Sequence, residues 1–240
     1  MAYDDPRLVD LYDGDNPDGS DHDFYRGLAE GVGARRILDL GCGTGMLTVS
    51  LATGGRTVVG IDPSKAMLGI ARRRPGTERV QWICGDSRSI PQGEFDLALM
   101  TGNAAQHVGD GDWSRTLTDL RAALREGGTF AFESRNPARR VWESWASEPV
   151  SERDTPHGRL REWTKATEHP HGRIAMRFHN LFVETGEEVV DEVLLAFRGR
   201  DEVEADLAAA GFAVDSVLGG WERTPFREDD PLMVFCARAA

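Results

Sequence analysis

From residue 36 onward the chain alternates short apolar runs with helical patterns, and this alternation constrains the fold more than any other feature. Five runs are nearly all apolar, as strands buried on both faces are: RILDL, TVVGI, VQWIC, FDLALM and GTFAFE, beginning at residues 36, 57, 80, 95 and 128. Between them, apolar residues recur at helical spacing, as Leu117, Leu120 and Leu124 do. Strands that alternate with helices predict parallel βαβ units and therefore a doubly wound α/β sheet.

A glycine-rich turn follows the first predicted strand. The sequence DLGCGTG, residues 39–45, ends that strand and leads into a helix. Glycines let the backbone adopt positive φ and approach a ligand closely, and a helix N-terminus offers free N–H groups. The carboxyl end of a central strand is also where open α/β sheets bind ligands. A tight structural turn is the alternative, because Met46 stands where the dinucleotide fingerprint has its third glycine.

Acidic residues close the next two predicted strands. Asp62 ends the second strand, 21 residues after Gly41, where a carboxylate can accept both hydroxyls of a ribose. The alternative role for Asp62 is an N-cap of the helix that begins near Ser64. Asp86 follows the third strand, so three successive strand ends carry Asp39, Asp62 and Asp86. With the glycine turn, these acids favour ribose binding at one edge of the sheet.

The motifs, taken in order, resemble those of the class I methyltransferases that use S-adenosylmethionine (SAM). ILDLGCGTG, VVGIDPS, the Gly-Asp pair at 85–86, FDLALMTG and LREGGTF look like successive motifs of that family, from about residue 30 to the end of the chain. The resemblance implies an enzyme that moves the methyl group of SAM to an N, O or C atom of a small-molecule acceptor. The sequence MTGNAAQHV departs from the Asn/Asp-Pro-Pro-Tyr pattern of enzymes that methylate amino groups of nucleic acids or glutamine.

The resemblance also implies an architecture. The family has a Rossmann-like doubly wound sheet of seven strands in the order 3-2-1-4-5-7-6, with the last strand antiparallel. We expect residues 31–134 and 199–240 to form this SAM-binding core, behind an N-terminal cap segment at residues 1–30. Alternating apolar residues predict a three-stranded antiparallel meander in an insertion at residues 135–198. Small-molecule enzymes of the family often carry a lid there, so the insertion is expected to be an acceptor lid.

Each motif carries an implied contact with SAM. The glycine turn would hold the methionine part, Asp39 would orient its ammonium group, Asp62 would bind the ribose, and Asp86 would accept from the adenine amino group. Side chains after the second and fourth strands would lie near the adenine and the sulfonium. The expected cofactor-binding set is Asp39, Gly41, Cys42, Gly43, Asp62, Pro63, Met67, Asp86, Ser87, Met100 and Thr101.

The acceptor is expected between the insertion, the N-terminal segment and the loop after the fourth strand. Its candidate binding residues are Tyr12, Asn103, Trp142 and Trp145. His107 lies on that loop and is the candidate general base. A base is optional, because a thiol or acidic phenol can arrive ionised, whereas an amine or hydroxyl must lose a proton. The alternatives are a surface position for His107 and packing of the tryptophans within the insertion.

Net charge and cysteine content indicate which classes of partner and which cell compartment to expect. A net charge of -12 and a pI near 5.0 create a field that repels phosphate backbones and anionic headgroups, which disfavours nucleic acid and membrane partners. An odd number of widely spaced cysteines, with no apolar run in the acidic N-terminus, favours a reducing, cytoplasmic location. The histidines lack the ligand spacing of a zinc site, so no metal is expected. A monomer or homodimer is expected.

Two other functions share parts of this pattern. A nicotinamide-dependent oxidoreductase also has the acid after the second strand, but Met46 and the additional Asp86 count against it. A non-catalytic SAM-binding protein is the second alternative, because a fold does not fix a function.

Overall fold

The computed structural model describes residues 4–240, and its centre is a parallel sheet. The parallel strands are β1 (Arg36–Leu40), β2 (Thr57–Asp62), β3 (Val80–Cys84), β4 (Phe95–Met100) and β5 (Leu124–Arg135). They lie in the order β3-β2-β1-β4-β5. β1, β2 and β4 are buried along nearly their whole length, as strands covered by helices on both faces must be.

A separate antiparallel sheet follows β5. It is a four-stranded meander of β6 (Ser151–Thr155), β7 (Gly158–His169), β8 (Arg173–Phe182) and β9 (Glu187–Ala196), in that order. The sequence predicts three of these strands, and β6 is the addition. SERDT carries no apolar alternation that would indicate a strand; its place comes from pairing along β7.

Two final strands complete the central sheet. β10 (Phe212–Leu218) pairs antiparallel with β11 (Leu232–Ala239), which in turn lies antiparallel beside β5. Counted within this seven-stranded sheet alone, the order is 3-2-1-4-5-7-6, so the expected topology and antiparallel last strand are confirmed. The dinucleotide-binding fold instead has the order 3-2-1-4-5-6, which counts against the oxidoreductase alternative.

Helices cover both faces of the central sheet. The α-helices are α1 (Pro6–Asp15), α2 (Ser20–Gly31), α3 (Met46–Leu51), α4 (Lys65–Ala71), α5 (Asp110–Ala123), α6 (Val141–Ser147) and α7 (Arg200–Ala209). α5 and α7 contribute to the core on one face, and α2 and α3 contribute to the core on the other. Within residues 4–240, no helix combines the length and apolar character needed to cross a membrane.

Candidate functional site

The glycine turn is fastened to the end of β2. The N–H groups of Gly41 and Cys42 both donate to the carbonyl of Ile61, at 2.7 and 3.1 Å. Gly41 has φ +81°, and a Cβ there would lie 2.7 Å from the Cβ of Ala104, so only glycine fits without displacement. A Cβ on Gly43, at φ +54°, would meet nothing within 4 Å. The turn therefore leaves a space beside Gly43 that a ligand can approach closely.

Asp39, at the end of β1, presents a buried acceptor that no residue within 4–240 pairs with. The residue is 1% exposed, and its Oδ2 accepts a hydrogen bond from the hydroxyl of Thr48 at 2.7 Å. Its Oδ1 is buried and has no hydrogen-bond partner among the described residues. Burial raises the pKa of Asp39 to about 6. Because an unpaired buried carboxylate oxygen is costly, this atom fits a ligand that brings a cationic donor, such as the SAM ammonium.

Asp62 is buried at the end of β2 and supports the glycine turn. Its Oδ2 accepts from the N–H of Gly43, and its Oδ1 accepts from the N–H of Ser64, both at 2.8 Å. Burial raises the pKa of this carboxyl group. Ser64, rather than Asp62, is the N-cap of α4 and accepts from the N–H of Met67. Each carboxylate oxygen keeps a second lone pair, so the donors of a ribose fit here as well.

Asp86 differs from Asp39 and Asp62 because its carboxylate is paired with a cationic side chain. The side chain of Asp86 is 45% exposed, forms an ion pair with Arg88 and accepts from the N–H of Arg88 at 3.0 Å. These interactions lower the pKa of Asp86. Ser87 is buried, and its hydroxyl donates to Asp119 of α5 at 2.7 Å. An adenine amino group would have to share the Asp86 carboxylate with Arg88.

The remaining expected cofactor residues differ in their exposure to solvent. Met67 and Met100 are at most 3% exposed, whereas Pro63 is on the surface. Cys42 and Thr101 are half-buried. Trp82 of β3, which is not among the expected cofactor residues, lies against the turn, because a Cβ on Gly45 would overlap its indole ring. A tryptophan in a strand beside the glycine turn is the sequence signal that indicates such a contact.

Helix α1 crosses the site and links the central sheet to the small sheet. Asp13 accepts from the hydroxyl of Thr44 at 2.6 Å and forms an ion pair with Arg74, so α1 is held against the glycine turn. Two residues later, at the last residue of the helix, Asp15 pairs with Arg153 of β6. The N-terminal segment thus forms one wall of the site, and nothing in the sequence pattern indicates these pairs.

A cavity of about 490 Å³ opens beside this wall. It lies between α1, the β4 loop (residues 101–108), α6 and the inner face of the small sheet. Its charged lining consists of Asp15, Glu148, Glu162, Asp191, Arg135 and Arg153, with His107 among them. Arg153 pairs with both Asp15 and Glu162. Carboxylates outnumber guanidinium groups, so the cavity favours a cationic or neutral ligand over an anion.

The structure brings three of the five expected acceptor-site residues to this cavity. Tyr12, His107 and Trp145 line it, and the guanidinium of Arg135 lies 4.8 Å from the centre of the Trp145 ring. His107 is exposed to solvent, yet the protein atoms around it remove part of the hydration of the charged ring. This desolvation, with the positive charge of Arg135, lowers the pKa of His107 from its ordinary 6.5, so the ring is neutral at pH 7.

Trp142 and Asn103 do not line the cavity. Trp142 is 4% exposed and packs in the core of the insertion with Ile174, Met176 and Leu195, while its Nε1 donates to Glu168 at 3.1 Å. The expected pocket position of Trp142 is therefore corrected, because the small sheet needs an apolar core of its own. Asn103 has φ +59°, and its backbone N–H turns inward to Glu133.

Comparison with known proteins agrees with this architecture. Residues 37–128 match the family model described as a methyltransferase domain. Glycine N-methyltransferase from Oryctolagus cuniculus is 31% identical over 152 residues, which cover 54% of this chain and 51% of that protein. The chain thus spans about half the length of the curated relatives it matches.

Solved structures share the fold along almost the whole chain. An S-adenosylmethionine-dependent methyltransferase from Clostridium acetobutylicum has a TM-score of 0.81 at 15% identity, covering 97% of this chain and 98% of that one. SAM-bound CalS10, an amino pentose methyltransferase from Micromonospora echinaspora, has a TM-score of 0.72 at 22% identity, covering 97% of both chains. At these identities the likeness shows the fold alone. Residues 37–128 therefore match a methyltransferase domain, and the sheet order and strand-end acids around them support a class I SAM-dependent methyltransferase fold.

Proposed function

We propose that this protein transfers the methyl group of SAM to the amine nitrogen of a small molecule held in the cavity. One observation carries the proposal: an acid-rich cavity shares the β4 loop with the glycine turn. Ala104 of that loop lies against Gly41, and His107 of the same loop lines the cavity. In this proposal residues 31–134 and 199–240 bind SAM, and residues 135–198 cover the acceptor.

The acidic lining supports an amine over other acceptors. A protonated amine gains from the carboxylates around the cavity, whereas an anionic phenolate or thiolate would be repelled. Two similar proteins carry amines in their names: the Oryctolagus cuniculus relative is named for glycine, and CalS10 is described as acting on an amino pentose. An amine of moderate size is therefore the acceptor class that we propose.

The residues at the strand ends would hold SAM. The Oδ1 atom of Asp39 would accept from its ammonium group, the turn at Gly41 and Gly43 would admit the methionine part, and Asp62 would accept from the ribose. Asp86 would accept from the adenine amino group. SAM supplies a methyl group activated by its bond to a positively charged sulfur. The protein's task is alignment and exclusion of water, and such positioning lowers a barrier by about 7–11 kcal/mol in favourable cases.

An ammonium acceptor must lose a proton before its nitrogen has a lone pair for attack. His107 is neutral at pH 7 because desolvation and Arg135 lower its pKa, so a ring nitrogen can take that proton. The amine lone pair then forms the N–C bond as the C–S bond breaks and its electrons remain on sulfur. The imidazolium returns its proton to solvent through the open side of the cavity.

Binding and product analysis test the function. We expect calorimetry to show binding of SAM and S-adenosylhomocysteine but not of NAD, and mass spectrometry to detect methylated product from a panel of glycine, sarcosine and an amino pentose. Binding of NAD without SAM would overturn the proposal. Methylation of hydroxyl acceptors with no turnover of any amine would overturn the acceptor class.

Asp62→Ala should weaken SAM binding by ~10–150-fold, because a buried ligand would lose charge-assisted hydrogen bonds worth about 1.5–3 kcal/mol. Titration calorimetry measures this change. Asp86→Ala is the comparison variant. The Asp86 carboxylate is exposed and paired with Arg88, so its removal should lower SAM affinity by at most about fivefold. Equal effects of the two substitutions would contradict the assignment of the ribose to Asp62.

Asp191→Asn should raise the KM for the amine acceptor by ~3–10-fold with little change in kcat, because the cavity loses one negative charge that attracts a cation. Steady-state kinetics at saturating SAM measure the effect. Glu192→Gln is the matched control, since Glu192 is exposed on the opposite face of β9 and pairs with Arg177 at 2.6 Å. A KM that rises equally in both variants would argue against an amine held in the cavity.

A further inference from the structure

A buried carboxylate lies directly behind the β4 loop and has no place in the chemistry described so far. Glu133 is 2% exposed near the end of β5. The preceding residue, Phe132, pairs with Met100 at the end of β4, so Glu133 lies level with the first residue of the loop. Acids are rarely buried to this degree without a cationic partner, so this position requires an explanation.

The partners of Glu133 are a phenol and a backbone amide. Its Oε1 accepts from the N–H of Asn103 at 2.5 Å, and its Oε2 accepts from the hydroxyl of Tyr25 in α2. Tyr25 is completely buried and packs against Trp221, with ring centres 5.9 Å apart. Helix α2 therefore backs the carboxylate rigidly and directs its other oxygen toward the β4 loop.

The hydrogen bond from Asn103 acts at a sharp bend of the loop. Asn103 has φ +59°, a left-handed conformation that few residues other than glycine adopt and that asparagine tolerates. The other end of the loop is held by Arg198, which donates to the carbonyls of Ala105 at 3.3 Å and Val108 at 2.8 Å. Between these two anchors lies the 3-10 turn Ala104–His107.

We propose that Glu133 is a positioning residue for methyl transfer, which holds the β4 loop through Asn103 and so keeps His107 in the cavity. The inference rests on the proposed function, because it matters for activity only if His107 takes the proton from the acceptor. Ala104 moves with the same loop and lies against Gly41, so Glu133 also keeps the cavity adjacent to the cofactor turn.

The ionised carboxylate is the form that holds the loop. It accepts from both donors at once, and hydrogen bonds to an ionised acceptor are roughly twice as strong as neutral ones. The groups facing Glu133 are Tyr25 and the more distant Asp21 from α2, Asn103 from the loop, and the uncharged Val234 from β11. Burial, with a contribution from Asp21, raises the pKa of Glu133 to about 7. The loop is therefore expected to loosen as pH falls through about 7.

Nuclear magnetic resonance tests this hydrogen bond without a substrate. In the wild-type protein the amide proton of Asn103 should shift with pH, with a midpoint near 7, and loop amides should exchange with solvent faster on the acid side. In E133Q, which keeps the side-chain shape without the charge, the shift should disappear and the exchange should stay fast at pH 8. The wild-type titration needs no variant, so a folding failure of E133Q does not remove the test.

Stability and kinetics distinguish positioning from a merely structural role. A carboxyl group with a raised pKa destabilises the folded state when it ionises, so the stability of the wild type relative to E133Q should fall as pH rises from 4.5 to about 7 and level off above that. E133Q should then be at least as stable as the wild type at pH 8, yet have a kcat ~3–30-fold lower with the best amine of the panel. An Asn103 resonance that does not titrate would overturn the proposal, as would unchanged kcat and loop exchange in E133Q.

The same variant separates this inference from the proposed function. E133Q should bind S-adenosylhomocysteine as the wild type does, because Glu133 contacts the loop and not the expected cofactor residues. A wild-type protein that binds no S-adenosylhomocysteine but shows the Asn103 titration would refute the function and leave the hydrogen bond standing. Normal binding with no titration would refute the positioning role alone.

Discussion

Replacing His107 with asparagine is expected to lower kcat for methyl transfer by ~10²–10⁴-fold, the range that a positioned general base contributes. His107 lines the acceptor cavity, and its ring is neutral at pH 7, so it can take the proton of an ammonium acceptor. SAM affinity should stay within a factor of about two, because His107 lies outside the cofactor set. Single-turnover kinetics with SAM pre-bound measure the chemical step directly.

The pH profile of kcat/KM, which reports the ionisable groups of the free enzyme, identifies the base independently of the size of that loss. Desolvation and the charge of Arg135 lower the pKa of His107. The fall in activity caused by protonation of His107 should therefore have its midpoint below pH 6.5. The fall in activity caused by protonation of Glu133 should have a higher midpoint, near pH 7. His107→Asn should remove the lower step, E133Q should remove the upper one, and Arg135→Met should move the lower step upward. A lower step that persists in His107→Asn would assign the base to another group.

The central sheet was predictable because its strands follow simple rules. Buried parallel strands are continuous apolar runs, and five such runs separated by helical patterns leave little choice of fold class. The position of the antiparallel strand β11 beside β5 came from the family resemblance and not from periodicity. β6 was beyond prediction because a polar segment becomes a strand only through its neighbour, and β7 supplies that neighbour.

The acids at the strand ends show what sequence spacing does and does not predict about a binding site. Asp39, Asp62 and Asp86 follow three successive strands, yet the structure buries only the first two. The difference at Asp86 comes from Arg88, two residues later, whose guanidinium reaches back to pair with it. Sequence spacing predicts which edge a carboxylate occupies, but its partners determine whether it is available to a ligand.

The cavity was the least predictable part of the site. Its acids Asp15, Glu148, Glu162 and Asp191 come from distant segments that meet only in the folded chain. Trp142 and Trp145 are three residues apart on one helix, yet the first packs in the core and the second lines the cavity. Glu133 did leave a signal, since it is the one acid in the apolar strand GTFAFE.

Asp39→Ala is expected to weaken SAM binding by ~30–4,000-fold, because the loss of one partner of a buried, hydrogen-bonded charge pair costs about 2–5 kcal/mol. The Oδ1 atom of Asp39 is buried and has no hydrogen-bond partner in the described part of the chain, so it would accept from the ammonium of SAM. Asp39→Asn keeps the shape and the acceptor for Thr48 but removes the charge, so its effect should be smaller. Titration calorimetry with SAM measures both.

The pH dependence of binding separates a direct contact from a general disturbance of the sheet. Because burial raises the pKa of Asp39 to about 6, SAM affinity should fall as pH drops through that value, while the SAM ammonium stays charged. The dependence should vanish in Asp39→Asn. Asp96→Asn is the matched control, since Asp96 accepts from the N–H groups of Arg35 and Arg36 at the opposite edge of the sheet and should affect stability alone. SAM affinity that is independent of pH between 5 and 8 in the wild type would place the ammonium away from Asp39.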